Sequence, residues 1–342
     1  MMKTHQWLIL ILLLFLLFGA ITVAAHTVFQ NNTPGIDYYC YWVAGRAFFA
    51  GQDPYSEETI QQIQMGIYGH LAGPGENKMP FANPPYAFFM MLPILWLDFG
   101  WSQAVWMTGN ILLMVTLSVI LFPKSPRWIR LTFPFVFPLV FGYILGNFAV
   151  TISSFLLIFL RYFIQSEKPT KTAQVLIGLL MAWCTVKPQF IWAFMIIFFL
   201  FCVRQRLWNM LGSFFISLAS MTLVSMIFRA DWIQKWLNEL AAYKNTNAES
   251  SVLSQLTSLL FPIPVASLAF YLIELSCLSL SVYLTYRWWH RKLNPLVFIA
   301  WAGFITYLIH PGGGAGVSYA HAIFIIPFFL WTLHQKYSLS TA

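Results

Sequence analysis

Long apolar runs separated by short polar punctuation recur from one end of the chain to the other. Residues 7–25 form a nearly unbroken apolar run of 19 residues, enough for a helix to cross ~30 Å of hydrocarbon. Further runs cover residues 101–122, 133–146, 149–163, 173–186, 190–203, 207–228, 265–286, 295–309 and 322–333, with a shorter one at 84–97 broken by Pro93. The pattern predicts an all-α, polytopic integral membrane protein of about 10–12 transmembrane helices. Several runs fall short of a full crossing, which calls for tilt, local thinning or incomplete crossing. A cleaved signal peptide competes for the first run, since Lys3 gives a basic start and Val23-Ala24-Ala25 a small-residue site. The run exceeds the roughly 7–15 residues of a signal core, which favours a retained anchor.

The longest stretch without a crossing pattern, residues 26–83, follows this anchor. Small residues (Ala44, Gly45, Ala47, Ala50) interleaved with aromatic ones (Tyr38, Tyr41, Trp42, Phe48, Phe49) predict a helix lying at the membrane surface, stopped by Gly51-Gln52-Asp53-Pro54. Ser56 with Glu58, then Ile60, Ile63 and Ile67, predicts a second, amphipathic surface helix. Gly and Pro make residues 69–83 a loop. The expected organisation is one membrane domain over residues 1–342: a first helix at 7–25, a catalytic loop at 26–83, and a bundle over 84–342 with loops near 187, 229–264 and 310–321.

Composition fits this reading and removes others. With 59% hydrophobic and 9% charged residues and a mean hydropathy of +0.69, the chain departs from soluble domains, where about 25% of residues are charged. If residues 84–97 do not cross, Lys3, Lys124, Arg127, Arg130, Arg161, Lys168, Lys171, Arg204, Arg206, Arg287, Arg291, Lys292 and Lys336 share one side, 13 of the 19 Lys and Arg. The positive-inside rule makes that side cytoplasmic. Both termini are then cytoplasmic, and Asp37, Lys187, residues 229–251 and residues 310–321 face outward from the plasma membrane. The net charge of +8 becomes a basic cytoplasmic rim and calls for no nucleic-acid partner. Cys40, Cys184, Cys202 and Cys277 show no paired spacing, the histidines are dispersed, and no phosphate loop or nucleotide domain is visible. No metal, no cofactor and no structural disulfide are expected, and any activated donor is lipid-borne.

Candidate chemistry is sparse. Asp37 opens the first surface helix, either as a reactive carboxylate or as an N-terminal cap or first-turn acid. Lys187, in Val186-Lys187-Pro188-Gln189, sits at a proline break, where it either holds an anion or snorkels to headgroups. His310 and His321 flank a glycine-rich loop suited to close ligand approach, or to a plain connector. Glu274, mid-helix, reads as a packing residue.

The motif Asp37-Tyr38-x-x-Tyr41-x-x-Ala44-Gly45-Arg46-Ala47, continuing to Gly51-x-Asp53-Pro54-Tyr55, and the segment Phe81-x-Asn83-Pro84-Pro85-Tyr86 together resemble glycosyltransferase family 87, membrane enzymes of the GT-C superfamily. Leu145-Gly146-Asn147 resembles its Gly-Gln/Asn element, Val186 to Gln189 its Lys-Pro-Gln element, and Ser318-Tyr319-Ala320-His321 its Ser-Trp-Asp-His-His element, with Ala320 and Ala322 replacing an acid and a histidine.

The resemblance implies a GT-C fold and an inverting hexosyltransferase, similar to the polyprenyl-phosphate-mannose-dependent mannosyltransferase of phosphatidylinositol mannosides. Its partners are then a polyprenyl-phosphate sugar donor and a lipid or glycan acceptor. Asp37 becomes the general base, and Lys187, His321 and His310 hold the donor phosphate. Arg46, Tyr55, Asn83, Asn147, Gln189 and Gln255 are the remaining substrate-binding candidates. Two other readings stay open: a transporter or flippase of lipid-linked sugars, and an inactive GT-C relative that binds them.

Overall fold

The computed structural model describes residues 4–29, 35–73, 76–121, 123, 126–165, 168–246 and 251–309. They form fourteen α-helices and no strand: α1 (Thr4–Phe29), α2 (Ile36–Phe49), α3 (Glu57–Tyr68), α4 (Phe99–Leu121), α5 (Arg127–Thr132), α6 (Phe137–Leu145), α7 (Phe148–Gln165), α8 (Lys171–Cys184), α9 (Pro188–Gln205), α10 (Trp208–Phe228), α11 (Trp232–Thr246), α12 (Val252–Leu260), α13 (Ile263–Trp289) and α14 (Pro295–Ile309).

Among the described residues six helices are long and apolar enough to cross a bilayer: α1 through Leu12–Phe29, α4, α7, α9, α10 and α13. A seventh crossing is available as the bent pair Arg127–Phe135 and Phe137–Leu145, broken by 40°, and α8 and α14 are shorter apolar helices. Among the described residues full-length crossings are fewer than the apolar runs, because the run holding Pro134 and Pro138 is bent and α8 and α14 are short. The chain is an all-α polytopic membrane protein. Large aliphatic side chains lie outward along these helices, Leu12 to Leu17 on α1 and Leu268, Leu272 and Leu275 on α13 among them, as lipid-facing surface requires.

Residues 84–97 do not make a crossing helix. Pro85–Met90 is a single 3-10 segment followed by turns, and at ~2 Å per residue it is far too short to span.

The described residues gather into two compact units interleaved in sequence: Met1–Thr116, Phe141–Asn147 and Val224–Glu239 in the first, and Leu117–Val140, Phe148–Leu223 and Leu240–Ala342 in the second. In the first unit α2 buries Tyr38, Tyr41, Ala44 and Phe48. Phe48 packs on Phe88 at 5.5 Å, Phe88 stacks on Phe81 at 4.5 Å, and Phe81 on Tyr55 at 5.7 Å. Gly45 allows the close approach here, since a Cβ there would meet the Phe88 and Leu95 side chains at 3.0 and 3.1 Å and push them aside by a few tenths of an ångström. As its sequence predicts, α3 starts on Ser56, whose side chain accepts from the Thr59 amide, and it ends on left-handed Gly69. The inward faces of Ile60 and Ile63 are buried.

In the second unit α7, α8, α9 and α14 pack around Phe159, Phe163, Phe198 and Phe201, and Cys184 and Cys202 are buried free thiols.

Candidate functional site: the carboxylate at the start of α2

The N-terminus of α2 is built so that Asp37 is not needed as its cap. Gly35 is the N-cap residue and has no side chain to offer. Its own amide donates instead to Gln103 Oε1 on α4 at 3.2 Å, and any larger residue at 35 would collide with that amide group. Asp37 lies in the first turn, where the helix dipole favours a negative charge. Its carboxylate is half-buried, and Oδ2 accepts a hydrogen bond from Asn147 Nδ2 at 2.6 Å. An ionised carboxylate can only accept, so the asparagine must present its NH2. Among the described residues nothing else bonds the second oxygen.

Asn147 is delivered by the end of α6, 110 residues away in sequence. Gly146 takes the left-handed conformation (φ +68°), the Asn147 amide donates to Gly142 O at 3.0 Å, and the Gly146 amide to Tyr143 O at 3.0 Å. This pair of bonds is the Schellman stop, which strongly prefers glycine. Trp106 Nε1 ties the stop down by donating to Gly146 O at 2.9 Å. Tyr38, next to the carboxylate, packs its ring on Trp106 at 5.7 Å, and its hydroxyl lies 2.7 Å from Ser102 Oγ, which itself donates to Ile94 O. Tyr38 therefore donates to Ser102. Burial pushes the Tyr38 phenol well above its usual range, so this side chain locates α2 rather than exchanging protons. Asn147 itself is only 8% exposed.

The Tyr55 side chain is spent on the fold, and Asn83 is buried. Tyr55 is buried and its hydroxyl donates to the Asn83 backbone oxygen at 2.8 Å. The turn before it is an Asx-turn, with the Tyr55 amide on Asp53 Oδ1 at 3.1 Å. Asp53, which the sequence presents as part of a helix stop and of the motif, is a largely enclosed anchor. Its side chain is 12% exposed, and Oδ2 meets Lys235 Nζ at 3.1 Å and Arg229 Nη2 at 3.5 Å. Trp236 adds a hydrogen bond to Ala82 O at 3.1 Å. Glu239, on the same helix, is half-buried, and its pKa is raised by desolvation and then by Glu57 and Asp53, with Lys78 opposing.

Arg46 does not share the Asp37 face. Nine residues separate them on α2, which places them on opposite sides of the helix and about 13 Å apart along its axis. The Arg46 guanidinium stacks on Trp42 at 4.6 Å and lines a groove of about 1070 Å³ with Tyr39, Gln62 and Trp96.

In the second unit Lys187 falls at the break between α8 and α9, with Pro188 as the first residue of α9, where proline is favoured. Lys187 is 6% exposed, so its ammonium is enclosed by protein rather than extended toward headgroups. Gln189 is half-buried in the first turn of α9, and Gln255 is exposed on α12, whose start is capped by Ser251. His310 and His321 lie outside the described residues.

Gln103, Ser102 and Trp106 support the site and were not singled out in the sequence. Their only signal there is polar residues inside an apolar run. No curated protein and no solved structure matches the chain. Residues 81–311, more than half of its length, match glycosyltransferase family 87, a span that takes in the Asn83, Asn147 and Lys187 segments. The chain belongs to glycosyltransferase family 87 and is a membrane glycosyltransferase.

Proposed function

We propose that the protein transfers a hexose, mannose in the first instance, from a polyprenyl-phosphate donor to a hydroxyl of a lipid or glycan acceptor at the outer face of the plasma membrane, with inversion. The observation that carries the reading is Asp37: a half-buried carboxylate with one oxygen held by the Asn147 amide at 2.6 Å and the other open. A general base needs this combination of a fixed direction and a free lone pair.

In the reaction the acceptor hydroxyl gives its proton to Asp37 Oδ1 as its oxygen attacks the anomeric carbon. The bond from that carbon to the phosphate oxygen breaks, and polyprenyl phosphate departs with the electron pair. Backside displacement turns a β-phosphate into an α-glycoside. Lys187 is the candidate for meeting charge on the departing phosphate. Its enclosure supports that role, because exclusion of water strengthens such an interaction.

The test uses the purified protein in lipid nanodiscs with radiolabelled polyprenyl-phosphate mannose and a membrane extract as acceptor. Labelled product from the wild type, with a loss of roughly 10²–10⁴-fold in Asp37→Asn, is the expected result. Equal product from both proteins would remove Asp37 as the base. Donor binding without product in either would favour the binder reading.

A further inference from the structure

We propose that Arg204 and Arg291 form a phosphate-binding site where α9 and α13 end and α14 begins. A cavity of about 330 Å³ lies there, lined by Arg204, Gln205, Trp288, Arg291, Leu293 and Pro295. Two guanidinium groups and one amide line it, and no carboxylate does. Among the described residues neither arginine pairs with an acid. Two like charges directed into one small cavity repel, and an anion between them reverses the sign.

The geometry is built rather than casual. Arg204 lies over the Trp288 ring at 4.5 Å. Trp288 is buried, stacked on Phe163 at 5.2 Å and on Phe298 at 5.5 Å, each within 24° of parallel. This three-ring pile gives the guanidinium a fixed aromatic seat at the cavity, and a guanidinium offers the fork of donors that suits a phosphate.

Arg291 stands where glycine would be preferred. It has φ +59°, its amide donates to Trp288 O at 3.0 Å, and the Lys292 amide to Arg287 O at 2.8 Å, the stop that also ends α6. A side chain in this conformation costs about 1–2 kcal/mol relative to glycine. Helix α9 ends in the same way at Arg206 (φ +55°), so the conformation alone does not mark a site. Arg291 differs in lining a cavity with a second arginine. The start of α14 adds its positive end: Pro295 lines the cavity, and Asn294 Oδ1 accepts from the Leu296 amide at 2.9 Å.

The ligand chemistry is a phosphate with one small substituent, since the volume lies at the lower end of the ~300–1,000 Å³ of ligand pockets. Either a phospholipid headgroup or a free phosphate supplies it. This inference is independent of which sugar the enzyme transfers.

The test is native mass spectrometry of the detergent-solubilised full chain titrated with phosphatidylglycerol, with diacylglycerol as the uncharged blank and inorganic phosphate as competitor. The wild type should retain one phosphatidylglycerol and no diacylglycerol. Arg204→Gln and Arg291→Gly should each weaken retention roughly tenfold or more. Arg291→Gly should do so while keeping or raising Tm, because glycine suits that backbone, so loss of fold cannot mimic the result. Displacement by millimolar phosphate assigns the site to phosphate in general, and resistance to it assigns the site to the lipid. Unchanged retention in both variants overturns the proposal. So does an equal loss in Lys171→Gln, a charge removed away from the cavity, because the whole basic rim would then be responsible.

Discussion

Removing the Asn147 amide tests whether this residue aims the base. Asn147→Ala deletes the hydrogen bond, 2.6 Å long, that this side chain donates to the carboxylate of Asp37. Hydrogen bonds to charged groups are worth about 1.5–3 kcal/mol. Because Asp37 is half-exposed, water replaces part of the loss, and the low end applies. The expected effect is a fall of roughly tenfold in kcat with KM for the acceptor nearly unchanged, since the amide holds the base and not the substrate. The assay is initial-rate transfer in nanodiscs, with Tm recorded to normalise for folded protein. Adding Asn147→Ala to Asp37→Asn supplies the decisive comparison. If the amide acts through the carboxylate, the double variant is no slower than Asp37→Asn alone. Full additivity of the two losses, or a kcat within twofold of wild type for Asn147→Ala, would refute the positioning role.

Three further outcomes are expected. Gly146→Ala should destabilise by ~2 kcal/mol or more and depress transfer, since the position has φ +68° and a Cβ there would come within 2.5 Å of Tyr38 Cβ; thermal unfolding and rate are both measured. Asp53→Asn should cost about 1–2 kcal/mol, discounted because Lys235 is 43% exposed, read as a Tm lower by several degrees with the single-turnover rate on folded protein less affected. Glu239 has a folded-state pKa raised above its ordinary 4.5, so the folded state holds more protons between the two values. Stability is therefore lost as pH rises through that window. Glu239→Gln should raise Tm at pH 7, with the gain vanishing below about pH 4.5; a gain that persists at lower pH would refute the assignment.

Local features were legible in the sequence because they depend on neighbours. The stop at Pro54, the Ser56 cap and the break before Pro188 appear where turn and capping chemistry puts them. Helix α2 bears its buried face on Tyr38, Tyr41, Ala44 and Phe48, as its interleaved small and aromatic residues suggest. The crossing count was less legible, since an apolar run of 14 or 15 residues reads alike whether it spans, bends or stops short; the run at 133–146, bent by 40° before Phe137, shows the difference.

The site divides in the same way. Residue types and motif order picked out Asp37, Lys187, Arg46, Tyr55, Asn83 and Asn147 together, and the sequence ranks none of them by distance from another. Packing separates them. Asn147 reaches Asp37 across 110 residues, whereas the Tyr55 hydroxyl is taken up by the Asn83 backbone oxygen, and Arg46 is carried to the far side of α2. Asp53 changes from a turn residue into the anchor of two cations. The sequence by itself determined that this chain is a helical membrane protein with a carboxylate at the head of a surface helix, because hydrophobic period and capping are local properties. Which side chain holds that carboxylate was decided only by the tertiary structure, because a hydrogen-bond partner is chosen by where two distant helix ends meet.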